Sequence, residues 1–362
     1  MRPLRVAAIL ILLAVLSLFP VILSQYYVGL ITQMMIYAIF AMSLDILLGY
    51  TGLPSLGHAA YFGVSGYMVG LLSLKVTKQF ALVTGSGLGA VIAISAIFGL
   101  MAIRTHGAYF LMITLALAQV LWGVAFKWRS LTGGDDGLPG VPRPSLGIPF
   151  SLWNTTNFYF FVLVVFLLVV AILSIFIRSP VGHALKGIRE SETRMRSLGY
   201  NVWLYKYLAF IIAGTFAGIA GMLFTYYNGF ISPADLSIVL SAKVLLMVIL
   251  GGAGTLIGPA LGAAVIVLLE NLISAQTERW LLILGSIYVA VVLFAPAGIL
   301  GTLKAKLRRS VNTRTRLVSL SRIYARISAA CRLSMICIFP WSPESAARLS
   351  GLTAPEKQPY ST

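Results

Sequence analysis

The sequence returns repeatedly to apolar runs long enough to cross a lipid bilayer. A hydrocarbon core about 30 Å thick takes about 20 apolar residues at about 1.5 Å rise each. Such runs stand at 6–23, 27–48, 56–74, 81–103 and 108–126, then at 157–177, 206–227, 236–251, 256–273 and 280–300. Apolar residues make up 59% of the chain and charged residues 10%, with mean hydropathy +0.93. Average soluble domains carry about 25% charged residues. The expected fold class is an all-α polytopic membrane protein with about ten transmembrane helices. Arg2 and Arg5 precede the first run as they would in a signal peptide. No small-x-small cleavage site appears before Gln25, so a first membrane helix is the reading.

The formal net charge of +17 is divided unevenly. Residues 1–301 hold 16 Lys+Arg against 8 Asp+Glu, and residues 302–362 hold 11 against 2. A basic balance can serve nucleic acid. Here so much of the chain must sit in lipid that the positive-inside rule is the better account, and no nucleic-acid partner is expected. With the N-terminus in the cytoplasm, six crossings place 178–206 there too. That loop carries Arg178, Lys186, Arg189, Arg194, Arg196 and Lys206 against Glu190 and Glu192. Four further crossings put the basic tail on the same side. The loop 127–157, with Asp135 and Asp136, falls outside. Lys75 and Lys78 also fall outside, against the rule.

Catalytic and metal-binding signatures are missing from the sequence. Cys331 and Cys337 both lie in the tail and form neither a disulfide framework nor a zinc spacing. His58, His106 and His183 have no ligand spacing and read as structural. There is no G-x-x-x-x-G-K-[ST], H-E-x-x-H or G-x-S-x-G. The chain is read as a non-enzyme without its own ATPase motif, and no cofactor or metal is expected. Among the intramembrane charges, Asp45 and Glu270 sit near span ends where snorkelling is open to them. A Lys243–Glu270 pair is also possible.

The polar segment 179–199 reads as one capped helix between spans. Ser179 suits the N-cap, Pro180 the first helical position and Gly199 the C′ terminator. Ala184, Leu185, Ile188, Met195 and Leu198 follow a helical period in part, with Ile188, Met195 and Leu198 on one face. Arg189, Glu190, Arg194 and Arg196 make a polar surface. Such a helix can dock into a groove on another protein or lie on anionic headgroups.

Two Gly-rich stretches interrupt the apolar pattern. Gly49, Gly52, Pro54, Ser55, Gly57 and Gly63 lie in the first; Gly251, Gly254, Gly258 and Pro259 lie in the second. Broken backbone is tolerated in a membrane only where it is buried or lines a cavity, so a translocation pathway is one reading and tight helix packing the other. Leu48-Gly49-Tyr50-Thr51-Gly52 also resembles Leu250-Gly251-Gly252-Ala253-Gly254. With five spans per half, this raises the expectation of two inverted five-helix repeats.

Four ordered motifs carry a family resemblance over about residues 25–301. Gly182-His183-Ala184-Leu185-Lys186-Gly187-Ile188-Arg189-Glu190, continued by Ser197-Leu198-Gly199-Tyr200-Asn201, resembles the ATPase-coupling loop of the permease subunits of bacterial branched-chain amino acid ABC importers. Leu48 to Gly63 is similar to a Gly-rich signature of that family. Thr132-Gly133-Gly134-Asp135-Asp136-Gly137-Leu138 is similar to its outer-loop motif. Gly251-Gly252-Ala253-Gly254-Thr255, with Gly258-Pro259 and Gly262-Ala263, is similar to a fourth.

The resemblance implies an importer of leucine, isoleucine or valine in the bacterial inner membrane. It implies as partners a second, related permease chain, two cytoplasmic ABC ATPase subunits and a periplasmic substrate-binding protein. Membrane lipid surrounds the whole. Ala184, Ile188, Arg189, Glu190, Glu192, Leu198 and Gly199 are the expected coupling residues. Gly133, Gly134, Asp135 and Asp136 are the expected contact for the binding protein.

Related permeases for urea or short amides share these motifs. An ion-coupled transporter would need intramembrane titratable clusters that the sequence lacks, and a structural scaffold explains the broken Gly-rich segments poorly. The tail 302–362 departs from the family pattern. It reads either as a basic extension suited to anionic lipid or as a frame-shifted or non-functional end, with poor order expected beyond about Arg308.

Overall fold

In a computed structural model of the chain, the described residues are 24–276 except 78 and 144–151, together with Pro20 and scattered positions between 279 and 289. They fall within the unit Met1–Leu303. The tail 302–362, nearly all of the expected span 6–23 and most of 280–300 lie outside them.

The first described helix, α1, runs Gln25–Asp45 and continues through a π-helical turn, Ile46–Thr51. Then come α2 (His58–Lys75), α3 (Phe80–Ala102), α4 (Ala108–Lys127) and the short α5 (Arg129–Thr132). The next long helix is α6 (Thr155–Arg178). The polar segment holds α7 (Pro180–Glu190) and α8 (Glu192–Ser197), and α9 is Val202–Asn228. The last two are α10 (Ile238–Gly251) and α11 (Ile257–Ser274). Among the described residues six helical stretches are long and apolar enough to cross a membrane: Gln25–Thr51, Phe80–Ala102, Ala108–Lys127, Thr155–Arg178, Val202–Asn228 and Ile257–Ser274.

Between lipid-soluble helices the hydrophobic effect gives little net attraction, so close packing must hold them together. The sequence of α9 supplies it. Gly214 leaves room for Ser95 and Gly218 for Val91, both on α3, while Gly221 sits against the Phe62 carbonyl of α2. Helices α1 and α9 are mostly buried at the centre; α3, α4, α6 and α11 lie at the periphery, buried along a third of their length or less. Leu82, Ile97, Met112, Val164 and Ile175 face outward, as lipid-facing side chains should. Exposed Tyr26, Trp128 and Trp153 stand at one end of the bundle and Tyr109, Tyr200 and Trp203 at the other, where interfacial aromatics are favoured.

Several expectations change. Span 236–251 holds a 14-residue helix, Ile238–Gly251, about 21 Å long at about 1.5 Å per residue and short of a full crossing, preceded by a 3₁₀ turn, Pro233–Leu236. The turn is fixed by a capping box, in which the Ser232 N–H donates to Asp235 Oδ2 at 2.9 Å. Span 56–74 becomes α2, whose first turn starts inside the bundle rather than at a surface. There the Ala59 N–H donates to Ser241 Oγ at 3.0 Å, and His58 Nε2 lies 2.9 Å from Ser43 Oγ. The chain 52–57 is thus a re-entrant break whose freed backbone groups find partners within protein.

The two Gly-rich motifs meet inside the bundle, Gly49 against Gly254. Helices α1 and α10 both reach them with their C-terminal ends, at the same end of the bundle. A small antiparallel pairing, Leu138–Pro139 with Phe230–Ile231, adds to the helical fold. Lys243 does pair with Glu270, and its ammonium also lies 4.6 Å from the Tyr37 ring centroid.

Candidate functional site

The polar segment joining α6 to α9 is built as two capped helices rather than one. Ser179 is extended, and its Oγ accepts the Gly182 N–H at 3.3 Å; Pro180 follows at the first helical position. Gly182 is pressed against the Phe176 and Ile177 carbonyls, which lets α7 fold straight back from α6. Ser191 then breaks the run: its φ of −163° leaves the helical region, and its side chain accepts the Arg194 N–H to cap α8. Glu192 in the first turn of α8 suits the positive end of the helix. At the far end Gly199, at φ +84°, closes a Schellman motif in which Gly199 N–H donates to Arg196 O and Tyr200 N–H to Met195 O. Asn201 caps α9 in turn, accepting from the Leu204 N–H.

This segment is anchored from beneath. Ala184, Leu185, Ile188 and Met195 are buried. The expected shared face is therefore divided, because Leu198 stands 66% exposed, beyond the anchored part. The expected polar surface is divided too. Glu190 is exposed. Glu192 instead holds Lys206, a lysine only 3% exposed at the start of α9, and lies 3.8 Å from Arg196. Arg189 reaches back into the bundle.

The Arg189 guanidinium donates through Nη1 to the carbonyl oxygen of Gly49 in the π-helical turn. Its aliphatic stem covers Gly52, where a Cβ would stand 3.1 Å from Arg189 Cγ. The same guanidinium closes over Gly254, where a Cβ would meet Nη1 at 3.0 Å. Gly254 has φ +84° and Gly52 +73°, so both turns need a residue free of the left-handed penalty. Asp45 completes the junction: its Oδ1 accepts the Gly254 N–H at 2.7 Å. Asp45 is 1% exposed, so it serves as an internal acceptor and does not snorkel. At Gly49 there is no space for a Cβ between Asp45 and the Gly254 backbone. Nearby, Lys186 lies over the Tyr50 ring at 5.2 Å.

One arginine on the polar segment thus touches both Gly-rich breaks at once, and those breaks touch each other. A displacement of α7 must either carry the ends of α1 and α10 with it or break these contacts.

The remaining sequence-predicted residues are placed as follows. Gly57 packs on the Thr114 carbonyl and Gly63 on Leu236; Ser55 is buried, its Oγ accepting the Gly57 N–H at 3.3 Å, and Pro54 is half-buried. Gly251 and Gly258 lie against each other, with Pro259 buried beside them in the α10–α11 hairpin. All of these are close-packing points here. At the opposite end of the bundle, the single proton of Thr132 Oγ1 is shared between Ala125 O at 2.6 Å and Trp128 O at 2.7 Å, and the oxygen accepts the Gly134 N–H. Gly133 and Gly137 are held back to back, and Gly137 abuts the Ile231 carbonyl. This leaves Asp135 and Asp136 exposed on a fixed turn. Among the described residues no group of acids, histidines and cysteines is placed to hold a metal.

Sequence reasoning missed the roles of Asp45 and Lys206. Asp45 was visible as a lone intramembrane acid, but its partner lies 209 positions away. It also missed a cavity at the end opposite α7. That cavity is lined in part by Arg143, whose pKa is lowered by burial, and by several amide side chains.

The comparisons with known proteins agree with this architecture. Residues 26–295 match the family described as "Branched-chain amino acid transport system / permease component". The chain is 31% identical over 321 residues to the high-affinity branched-chain amino acid transport system permease protein LivM of Salmonella typhimurium, covering 82% of this chain and 75% of that protein. It is 32% identical to LivM of Escherichia coli K12, covering 80% and 73%. It is 26% identical over 297 residues to the permease protein LivH of Salmonella typhimurium, covering 77% and 95%. No solved structure matches the chain. A membrane bundle with a rigid polar segment latched to two broken helices, matched by that family over most of its length, belongs to the permease components of branched-chain amino acid transport systems.

Proposed function

We propose that this chain is a membrane permease subunit of an ABC importer that carries branched-chain amino acids across the bacterial inner membrane. It works with a second, related permease chain, two cytoplasmic ABC ATPases and a periplasmic substrate-binding protein. Six crossings, the expected helix at 6–23 followed by α1, α2, α3, α4 and α6, put α7 and α8 in the cytoplasm and Asp135 and Asp136 outside. The charge asymmetry of the loop 178–206 supports that orientation.

The observation that carries the reading is the triple contact of Arg189 with Gly49, Gly52 and Gly254. The ATPases bear on the exposed side of α7 and α8, through Glu190 and Leu198. Buried Ala184 and Ile188, with the exposed Arg189 that reaches across to Gly49 and Gly254, pass the motion to the ends of α1 and α10. Glu192 and Gly199 keep α8 rigid. Rigid-body movement then separates glycine contacts that are closed here, from Gly49 and Gly254 outward along Gly251, Gly258 and Pro259 and along Pro54, Ser55, Gly57 and Gly63. A helix can give way at these points because little side-chain volume must be displaced. The turn at Gly133, Gly134, Asp135 and Asp136 offers the binding protein a fixed acidic contact, and lipid bathes the outer helices.

The test is a mild-detergent pull-down from the native membrane, followed by reconstitution of what is recovered. P-loop ATPases and a second permease should accompany the chain, and uptake of leucine, isoleucine or valine should require ATP and the binding protein. A chain that purifies alone and drives uptake in liposomes without ATP would refute the proposal.

A further inference from the structure

The end of the bundle opposite α7 holds a cavity of about 520 Å³ that the coupling argument does not use. It opens between the start of α1, the start of α6, the end of α9 and the last turns of α11. Gln25, Gln33, Asn228 and Asn271 line it with amides. Tyr26, Leu30 and Tyr227 give it an apolar wall, and Gly29 leaves the space that a side chain would fill.

Its one charged lining residue is Arg143. Nη1 of Arg143 donates to the carbonyls of Leu152 at 3.1 Å and Trp153 at 2.9 Å, and the guanidinium lies 4.8 Å from the Phe158 ring centroid. These contacts fix the group and use one nitrogen. Among the described residues no carboxylate pairs with it. The fork formed by Nε–H and Nη2–H, the geometry that fits a carboxylate bidentately, has no hydrogen-bond acceptor among them either. The N-terminus of the 24-residue α6, which begins at Thr155 on the cavity wall, adds a partial positive charge.

We propose that this cavity is an entry site for a free zwitterionic α-amino acid with an apolar side chain. Its carboxylate lies on the Arg143 fork, its ammonium on the amide oxygens, and its side chain against Leu30 and Tyr227. The inference rests on the importer reading, since under that reading this end faces the binding protein. The site would hold the solute after release and before the junction at Gly49 and Gly254 opens.

The experiment uses the complete transporter in nanodiscs without binding protein, and saturation-transfer NMR with leucine, with leucinol (no carboxylate) and with 4-methylpentanoate (no ammonium). Leucine should give signal and leucinol none. Arg143→Gln should weaken leucine binding about tenfold, as expected for loss of one charge-assisted pair. Because Arg143 also anchors Leu152 and Trp153, Gln33→Leu and Asn228→Leu provide variants that leave that anchor intact, and each should weaken leucine more than 4-methylpentanoate. Equal signal from leucine and leucinol, or unchanged leucine binding in all three variants, overturns the entry site. ATP-driven uptake by the wild-type complex is measured in parallel. Its absence would refute the importer reading, while normal uptake by the wild type and by all three variants refutes only the entry site.

Discussion

Arg189 and Glu190 are neighbours in sequence and both are exposed, yet only Arg189 reaches across to the ends of α1 and α10. That separates two phenotypes. Arg189→Ala removes a charge-assisted hydrogen bond to Gly49 O and the cover over Gly52 and Gly254. Hydrogen bonds involving a charged group contribute about 1.5–3 kcal/mol. Much of the Arg189 side chain is exposed, which argues for the low end. A loss of about 1.5 kcal/mol shifts the equilibrium between latched and unlatched junctions about tenfold. The variant should still insert and still recruit the ATPases, because Glu190 and Leu198 are untouched. It should hydrolyse ATP while importing several-fold less solute per ATP. Glu190→Ala should instead weaken recovery of the ATPases and leave the junction intact, and the double variant should lose both. The assay is simultaneous ATP hydrolysis and leucine uptake in proteoliposomes holding the whole complex, with co-purification scored separately. A normal uptake-to-ATP ratio in Arg189→Ala would refute the latch; normal uptake by the double variant would refute the docking assignment as well.

Three further outcomes are expected. Gly254→Ala should cost about 1–2 kcal/mol for its left-handed φ and more for crowding against Arg189 and Gly49, lowering the detergent melting temperature and the uptake rate together; an unchanged melting temperature would count against the packed junction. Lys243→Met strands Glu270 among packed helices and should destabilise by a few kcal/mol, whereas Lys243→Met with Glu270→Met should recover most of that loss; equal melting temperatures for the single and double variants would show that the pair is solvated. Glu192→Gln leaves Lys206 without its carboxylate, so limited proteolysis should cut near Ser191 faster than in the wild type, and an unchanged rate would mean that the caps alone hold α8 in place.

The sequence made the helices legible because lipid imposes a simple rule, a sustained apolar run, and the helices at the periphery of the bundle sit within a few residues of those runs. Legibility failed where protein rather than lipid was the surrounding. Helix α2 is rich in glycine, serine and tyrosine because it is enclosed, so its depth in the bundle is set by Ser43 and Ser241, which no local pattern reveals. Helix α10 reads as a span by composition, but the capped turn of Ser232, Pro233 and Asp235 just ahead of it keeps it from extending to the length of a full crossing. The break at Ser191 did have a local signal, a serine just ahead of an acid in an otherwise helical run, and it was outweighed by the longer amphipathic pattern around it. Arg189 is the hardest case. Helical periodicity groups it with Glu190 and Arg196 as a solvent-facing charge, and that grouping is right for a helix lying on open surface. It is incomplete here because Arg189, though exposed, also meets the Gly49 carbonyl that the π-helical turn at the end of α1 presents under α7. A carbonyl released by irregular helix geometry inside a membrane needs a donor, and the nearest long cationic side chain on the covering helix supplies it. The irregularity at Gly49 and the inward turn of Arg189 are therefore one feature, and a residue that looks like part of a docking face is better placed to transmit the load than to receive it.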